Sequence, residues 1–308
     1  MKKRFDWQGK KGEEIREYIK KLVLDGMRTI TIVERINSAF RCNFNKAQID
    51  NIRSRYSISP YVLEEDGFPT LYNKQICLPK GDYLVTCDYH CPYHSVEWCN
   101  RSLAVADKLG IKTLIIAGDL FEMSFAKKWL YYEDEKHHGL DAEIDEAQKI
   151  KKMLEYFDKV YLIRGNHEDR VRRMTEARIQ AGHIIKLFTT EIYAKKFIYS
   201  PYDSLFIGDN WMVVHPQSYS QISGSTAVRL AEKYHRHILN SHGHFSALRY
   251  DRSGKHMGID TGAMVDPLKV GYISLSTSTH PFWNSGFCVV REDGLFLFNK
   301  SSDWTYWV

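Results

Sequence analysis

The apolar and polar positions of this 308-residue chain repeat with two different periods, and the change between them divides it into zones. Between residues 12 and 25, Ile15, Tyr18, Ile19, Leu22 and Val23 recur at intervals of three and four among charged residues, which predicts an amphipathic helix ending near Gly26. Ile32, Val33, Ile36 and Phe40 predict a second helix, with Thr29 or Thr31 as its N-cap. Ala47, Ile49 and Ile52 predict a third behind Asn45. The link from Ser38 to Phe44 is short enough for a helix-turn-helix arrangement. Weakly periodic sequence with Pro60, Pro69 and Pro79 follows over 57–80 and reads as linker and edge.

From Tyr83 the pattern changes to short apolar runs at 83–87, 113–117, 159–163, 211–214 and 237–240. Helical patterns at 94–109, 142–157 and 225–235 alternate with them, and strands alternating with helices predict an α/β domain. Met257 to Asp260, Gly286 to Val290 and Leu295 to Asn299 predict further strands, the last two forming a hairpin that turns near Asp293-Gly294. The expected organisation is a helical domain over 1–62, a linker over 63–80 and an α/β body over 81–308.

Charge sharpens that division. Residues 1–60 hold 14 Lys/Arg and 7 Asp/Glu, whereas the remaining chain holds 29 and 31, so all of the net charge of +5 arises in the first fifth. A basic segment on a near-neutral body suggests an anionic partner. The third helix would offer Lys46, Gln48, Asn51, Arg53 and Arg55 to a groove, with the amides reading bases and the cations holding phosphate. Thr-Ile-Thr-Ile-Val-Glu-Arg-Ile-Asn followed by Lys-Ala-Gln-Ile-Asp-Asn-Ile-Arg-Ser-Arg resembles small tri-helical DNA-binding domains of transcription regulators and phage proteins. A protein-docking or structural helical bundle fits the same periodicity.

A hydrophobic content of 44% suits a globular core, and no run approaches the roughly 18 apolar residues of a membrane span. Met1-Lys2-Lys3-Arg4 lacks the apolar core of a signal peptide, so a cytoplasmic protein with no membrane contact is expected. The six cysteines show no paired CxxC spacing and read as packed thiols rather than a zinc ribbon or disulfide framework; Cys87 and Cys91 could face one another. The cluster Trp304, Tyr306 and Trp307 reads as docked. Nothing in the pattern sets an oligomeric state.

Five motifs stand in order behind the apolar runs: Asp88-Tyr89-His90, Gly118-Asp119, Gly165-Asn166-His167-Glu168, His215 and His242-Gly243-His244. Each would present oxygen or nitrogen donors at a strand's carboxyl end, so donors from five elements could meet on one rim. Two divalent ions about 3.5 to 4 Å apart can bind a phosphate and sharpen a water into hydroxide. Asp119 is the candidate bridge, because a carboxylate can join two cations where a neutral imidazole cannot. Asp88 and His90 can turn toward one ion if the chain leaves the pleat, with His244 reaching back to it; Asn166, His215 and His242 suit the other.

The set resembles the calcineurin-like metallophosphoesterase superfamily, whose pattern is D-x-H, G-D, G-N-H-[ED], H and G-H-x-H. Spacings of 31, 47, 49 and 27 residues between successive motifs agree, over roughly residues 82 to 299. The resemblance implies a four-layer α/β/β/α sandwich, here preceded by a small all-helical domain, in a layout similar to phage-encoded members. It implies Asp88, His90, Asp119 and His244 around metal one, and Asp119, Asn166, His215 and His242 around metal two. His167 then resembles the catalytic histidine, a general acid of near-neutral pKa, and Glu168 an orienting partner. Ser241 and Pro216 depart from the usual glycines and could alter the backbone around metal two. His94 is a phosphate contact or a loop histidine; Arg170 clamps phosphate or pairs with an acid. Arg164 reads as structural, and His137, His138, His235 and His237 lack partners at ligand spacing.

Gly118-Asp119-Leu120-Phe121-Glu122-Met123-Ser124 lacks the phosphate-binding Arg of the protein Ser/Thr phosphatase motif, and those phosphatases lack the final H-x-H pair. Diester chemistry is therefore expected, on DNA or RNA, with Mn²⁺ favoured and Fe or Zn²⁺ also suited to the donors. The rival readings are a phosphatase or phosphodiesterase acting on a small nucleotide or other phosphoester, and a DNA-binding scaffold with an inactive body.

Overall fold

Ile15, Ile19, Leu22 and Val23 line one stripe of α1 (Lys10–Leu24) and bury against Ile32 and Ile36 of α2 (Thr29–Phe40) and Ile49 and Ile52 of α3 (Lys46–Arg55), with Phe44 closing the cluster. This computed structural model describes residues 5–25, 27–56, 75–126, 140–176, 178–179, 182–183, 185, 196–274, 282–292 and 294–307. The chain divides into two units, residues 1–73 and 74–308, and the three helices belong to the first.

Asn45 caps α3 as expected, in a reciprocal capping box with Gln48: Gln48 N donates to Asn45 Oδ1 at 2.9 Å and Asn45 N donates to Gln48 Oε1 at 3.0 Å. Neither threonine caps α2. Arg28 holds the N-cap position with no side-chain bond, and the Thr29 hydroxyl instead accepts from Arg53 Nη1 at 2.8 Å. Of the five residues expected to meet a groove, Lys46, Gln48, Asn51 and Arg55 are exposed, whereas Arg53 is half-buried by that bond to α2.

Among the described residues the second unit is built on two six-stranded sheets. In the first, β2 (Tyr83–Thr86), β3 (Thr113–Ile116), β4 (Lys159–Ile163) and β5 (Phe197–Ser200) run parallel, and β11 (Gly286–Arg291) and β12 (Gly294–Asn299) add an antiparallel hairpin beside β2. Asp293, at the expected hairpin turn, lies outside the described residues. The second sheet has the order β1 (Cys77–Leu78), β6 (Ser204–Ile207), β7 (Trp211–Val214), β8 (His237–Asn240), β10 (Met257–Thr261) and β9 (Ser246–Tyr250).

Strand alternation explains the unbroken apolar runs, because both faces of the central strands are covered. Leu114 and Ile116 face α4 (Val96–Leu109) and α5 (Leu140–Glu155), whereas Ile115 and Ala117 face the second sheet, where they meet Leu205, Val213, Leu239 and Ile259. Met212 and Ile238 on the outer face of that sheet pack on Ala231 of α7 (Ser225–Tyr234). The result is the four-layer α/β/β/α order expected.

Sequence reading missed β1, β5, β6 and β9. β1, β5 and β9 lie at sheet edges, and the half-exposed β5 and β9 carry no continuous apolar run. Cys77 and Leu78, at the end of the expected linker, pair with Phe206 and Ile207; residues 57–74 lie outside the described set. All six cysteines are free, and Cys87 Sγ packs 2.8 Å from Gly262 O. Trp304 and Trp307 dock on the first core. No helix among the described residues is long and apolar enough to cross a membrane.

Asn45→Ala removes one half of the capping box. It is expected to destabilise the helical unit by about 1 kcal/mol, read as a lower urea midpoint for loss of helical circular dichroism.

Candidate metal centre

The first sheet delivers Asp88 and His90 just past β2, Asp119 past β3 and Asn166 past β4; the second delivers His215 past β7 and His242 and His244 past β8. The strands carry these donors to one end of the sandwich, and departures from extended backbone then aim them. Asp88, His90, Asp119, His242 and His244 all have positive φ, between 49° and 72°, a region that non-glycine residues occupy at the expense of strain. The exit from the pleat expected after β2 is thus made by left-handed residues at both Asp88 and His90.

Two sets of acceptor atoms converge. In one, His90 Nε2 lies 3.1 Å from His244 Nε2, 3.8 Å from Asp88 Oδ1 and 3.9 Å from Asp119 Oδ2, and His244 Nε2 lies 3.4 Å from Asp88 Oδ1. In the other, His215 Nε2 lies 2.8 Å from Asn166 Oδ1 and 3.4 Å from Asp119 Oδ2, and Asp119, His215 and His242 each bring a donor atom within 4.8 Å of the others. Asp119 Oδ2 belongs to both.

The surroundings fit cations. One oxygen of each central carboxylate is anchored by backbone: Asp88 Oδ2 accepts from His242 N at 3.1 Å and Asp119 Oδ1 from His167 N at 2.9 Å. Asp119 Oδ2 is buried and accepts no hydrogen bond among the described residues. A buried, unsatisfied carboxylate oxygen among imidazoles is what a divalent ion would complete. Burial, together with the Glu168 and Asp88 carboxylates, pushes Asp119 well above its usual range, a penalty that positive charge at this point would relieve. Burial would raise Asp88 too, but the rings of His244, His215 and His90 outweigh it and hold that carboxyl low.

A further layer of bonds fixes the rings. His90 Nδ1 donates to Glu122 Oε2 at 2.8 Å and His215 Nδ1 to Ala117 O at 2.9 Å, which leaves both Nε2 atoms as acceptors. Ser241, where the family pattern has glycine, places Oγ 2.7 Å from Ala117 O and 3.0 Å from His215 Nδ1, so its hydroxyl joins the bonds that hold His215. Glu168 accepts from the backbone of Asp119, Leu120 and Gly165, each at 2.9 Å, and ties the second motif to the third. The loops touch so closely that a Cβ on Gly118 would run into the His215 ring and the Gly165 backbone, and one on Gly165 into the Asp119 carboxylate.

His167 is reached by Glu122 Oε2 at 3.1 Å from Nδ1 and by Arg170 Nη2 at 2.7 Å from Nε2. The ring departs from the near-neutral titration expected of it. Burial pushes the ring down to about 3, more than the neighbouring Glu122 carboxylate lifts it, so the resting imidazole is neutral at pH 7. Arg170 pairs with an acid, as one of its two readings had it, with Nη1 donating to the Glu122 carbonyl at 2.7 Å and lying 3.4 Å from its carboxylate. His94 is buried at the approach to α4, its backbone bridged to Val265 and its carbonyl accepting from Lys269. Arg164 pairs with Asp169, and His237 Nδ1 accepts from Met257 N. His137 and His138 lie outside the described residues.

Two functional carboxylates escaped sequence reading. Glu122 touches His90, His167 and Arg170, and its one sequence signal is an acid three residues beyond Asp119. Glu143, from α5, accepts from Met123 N and Ser124 N and pins the loop that carries Glu122; no local pattern marks it.

The model of the calcineurin-like phosphoesterase family matches residues 81–289. No curated protein matches the chain. Similar solved structures include the phosphoesterase Yfce from E. coli, at 13% identity over 70% of this chain and 90% of that one, with a TM-score of 0.32. Vps29 from Chaetomium thermophilum is 12% identical over 72% and 87%, at 0.38. The nuclease MPE from Pseudomonas putida is 16% identical over 70% and 87%, at 0.27.

Mn²⁺ is expected to raise the melting temperature of the full chain, because ions that bind the folded state alone stabilise it by mass action. Asp119→Asn is expected to lose most of that rise; an undiminished shift would refute the shared bridge. Without metal, stability is expected to decline as pH falls from about 6.5 toward 4. His167 and His242, depressed to about 3 and about 4, stay neutral when folded but take up protons when unfolded. The raised Asp119 opposes part of this. Urea titrations at several pH values in a chelator would read the slope.

Proposed function

The chain belongs to the calcineurin-like phosphoesterase family, and from that premise we propose that it is a two-metal phosphodiesterase acting on DNA or RNA. The observation that carries the two-metal reading is the bare Asp119 Oδ2, buried and shared by two converging donor sets. Carboxylate, amide and imidazole donors suit Mn²⁺, with Fe and Zn²⁺ as alternatives. Two divalent cations held there would supply Lewis acidity toward phosphate and a nucleophile at neutral pH.

The side chains then divide the remaining work. Glu122 and Ala117 fix the tautomers of His90 and His215, and Glu168 fixes the distance between the two central loops. Arg170 and His167 form the next polar pair, with the guanidinium placed to balance phosphate charge. His167 is the proposed general acid. A bound phosphoryl anion, added to Glu122, favours the imidazolium against burial, and the ring can then pass its proton to the leaving oxygen.

Support for a nucleic acid comes from outside the centre. The excess positive charge lies within residues 1–60, and Lys46, Gln48, Asn51 and Arg55 are exposed on α3. The absent arginine of the second motif and the final His242-Gly243-His244 pair favour diesters over phosphoproteins.

The test is a Mn²⁺-supplemented panel of bis-p-nitrophenyl phosphate, p-nitrophenyl phosphate, single- and double-stranded DNA, RNA and cyclic dinucleotides. Cleavage of polymeric nucleic acid, with diester preferred over monoester, is expected. Activity confined to monoesters or small nucleotides would replace this reading, and none on any substrate would leave an inactive scaffold. His167→Gln is expected to slow DNA cleavage by about 10²- to 10⁴-fold, and bis-p-nitrophenyl phosphate far less, because p-nitrophenolate leaves without a proton. Equal losses would remove the acid role.

A further inference from the structure

Beside the second donor set, the segment between β7 and α7 carries an aromatic ring into the open. Tyr219 is 52% exposed, yet its ring stands edge-on to the His242 imidazole, at 87° with centroids 5.1 Å apart. Two residues earlier in the same segment, Gln217 Oε1 accepts from Arg173 Nη2 at 3.3 Å. That bond joins the Tyr219 segment to α6 (Glu168–Met174), which starts directly after His167. Arg173 has a side chain 61% exposed and is held through Nε to Asp169 at 2.8 Å and through Nη2 to Gln217, so the guanidinium is oriented while the side chain stays open to solvent. A ring and an oriented cation therefore share the rim that adjoins His242 and His167. On the side of the first donor set, Trp283 packs its ring 4.2 Å from His244 and is anchored on the cluster of Tyr93, Val265, Val270 and Ile273.

We infer that this rim is a track for single-stranded nucleic acid, in which a base stacks on Tyr219 while Arg173 meets a neighbouring backbone phosphate. The inference rests on the phosphodiesterase reading for the direction of the strand into the centre. Single strands are held by this pairing of chemistries, an aromatic face that accepts any base and a cation that follows the backbone. A paired duplex keeps its bases stacked inside and has none to offer the ring. An aliphatic phosphodiester would use the arginine and leave the tyrosine idle, so the two residues together select nucleotides among diesters.

Two measurements on the full chain test it. The first is fluorescence anisotropy, in a chelator, of a labelled oligothymidylate and of an abasic oligomer of equal length, so that phosphate contacts anywhere on the protein cancel. Wild type is expected to prefer the base-bearing strand by about tenfold, Tyr219→Phe to keep that preference, and Tyr219→Ala to erase it. The second compares kcat/KM in Mn²⁺ for thymidine 5′-(p-nitrophenyl phosphate) and methyl p-nitrophenyl phosphate, which share a leaving group and differ by the nucleoside. Tyr219→Ala is expected to lower the first by a similar factor relative to the second. No preference in wild type, a preference that survives in Tyr219→Ala, or equal losses on both esters, as a mere buttress for His242 would give, would each overturn the track. Tyr219-dependent binding with no cleavage of either ester would sustain the track and remove the phosphodiesterase reading. Cleavage of both esters without dependence on Tyr219 would do the reverse.

Discussion

The organising constraint of this structure is electrostatic: several oxygen and nitrogen acceptors are buried facing one another with too few protons to share. Asp88 and Asp119 are buried, each with one oxygen fixed by a backbone N–H and the other turned toward imidazole nitrogens. Such an arrangement is unfavourable unless positive charge completes it. The low position of Asp88 and the high position of Asp119 are two responses to the same crowding, imidazoles relieving one carboxylate while Glu168 and Asp88 press on the other.

Holding acceptors in that arrangement requires a stiff frame, and the sandwich supplies it. Central strands buried on both faces cannot slip by one residue without turning core side chains inside out, so the ends from which the ligands project are fixed in register. Strain is then confined to the loops. Five of the candidate ligand residues adopt left-handed backbone, while Gly118 and Gly165 lie where the loops approach too closely for a side chain. Glu168 and Glu143 hold these loops through backbone N–H groups, so buried carboxylates support the centre from outside it as well as within it.

The second ring of residues gives the centre its asymmetry. His90 is oriented by a carboxylate, Glu122, whereas His215 is oriented by a carbonyl with Ser241 beside it. A carboxylate makes its imidazole the stronger electron donor, so the two donor sets are unequal even though they share Asp119. Glu122 also reaches His167 and Arg170, which links the first donor set to the groups proposed to meet substrate.

The period of the apolar runs and the ordered motifs determined much of this protein by themselves. Buried parallel strands must be apolar on both faces, and polar groups at strand ends must follow those runs, so the layers and the gathering of the seven candidate residues at one end of the strands were legible in a linear pattern. β5 and β9, at sheet edges and half-exposed, left no such trace. The Thr29 hydroxyl turned to Arg53 instead of its own helix, which no local rule foretells. Glu122, Glu143 and Tyr219 gained their places only when distant segments met. The same holds for the depressed titration of His167, because desolvation is a property of the surrounding packing and not of the residue. Sequence therefore settled which atoms could bind and in what order along the chain. Tertiary structure decided which of them face one another, which are denied water and which remain open to a substrate.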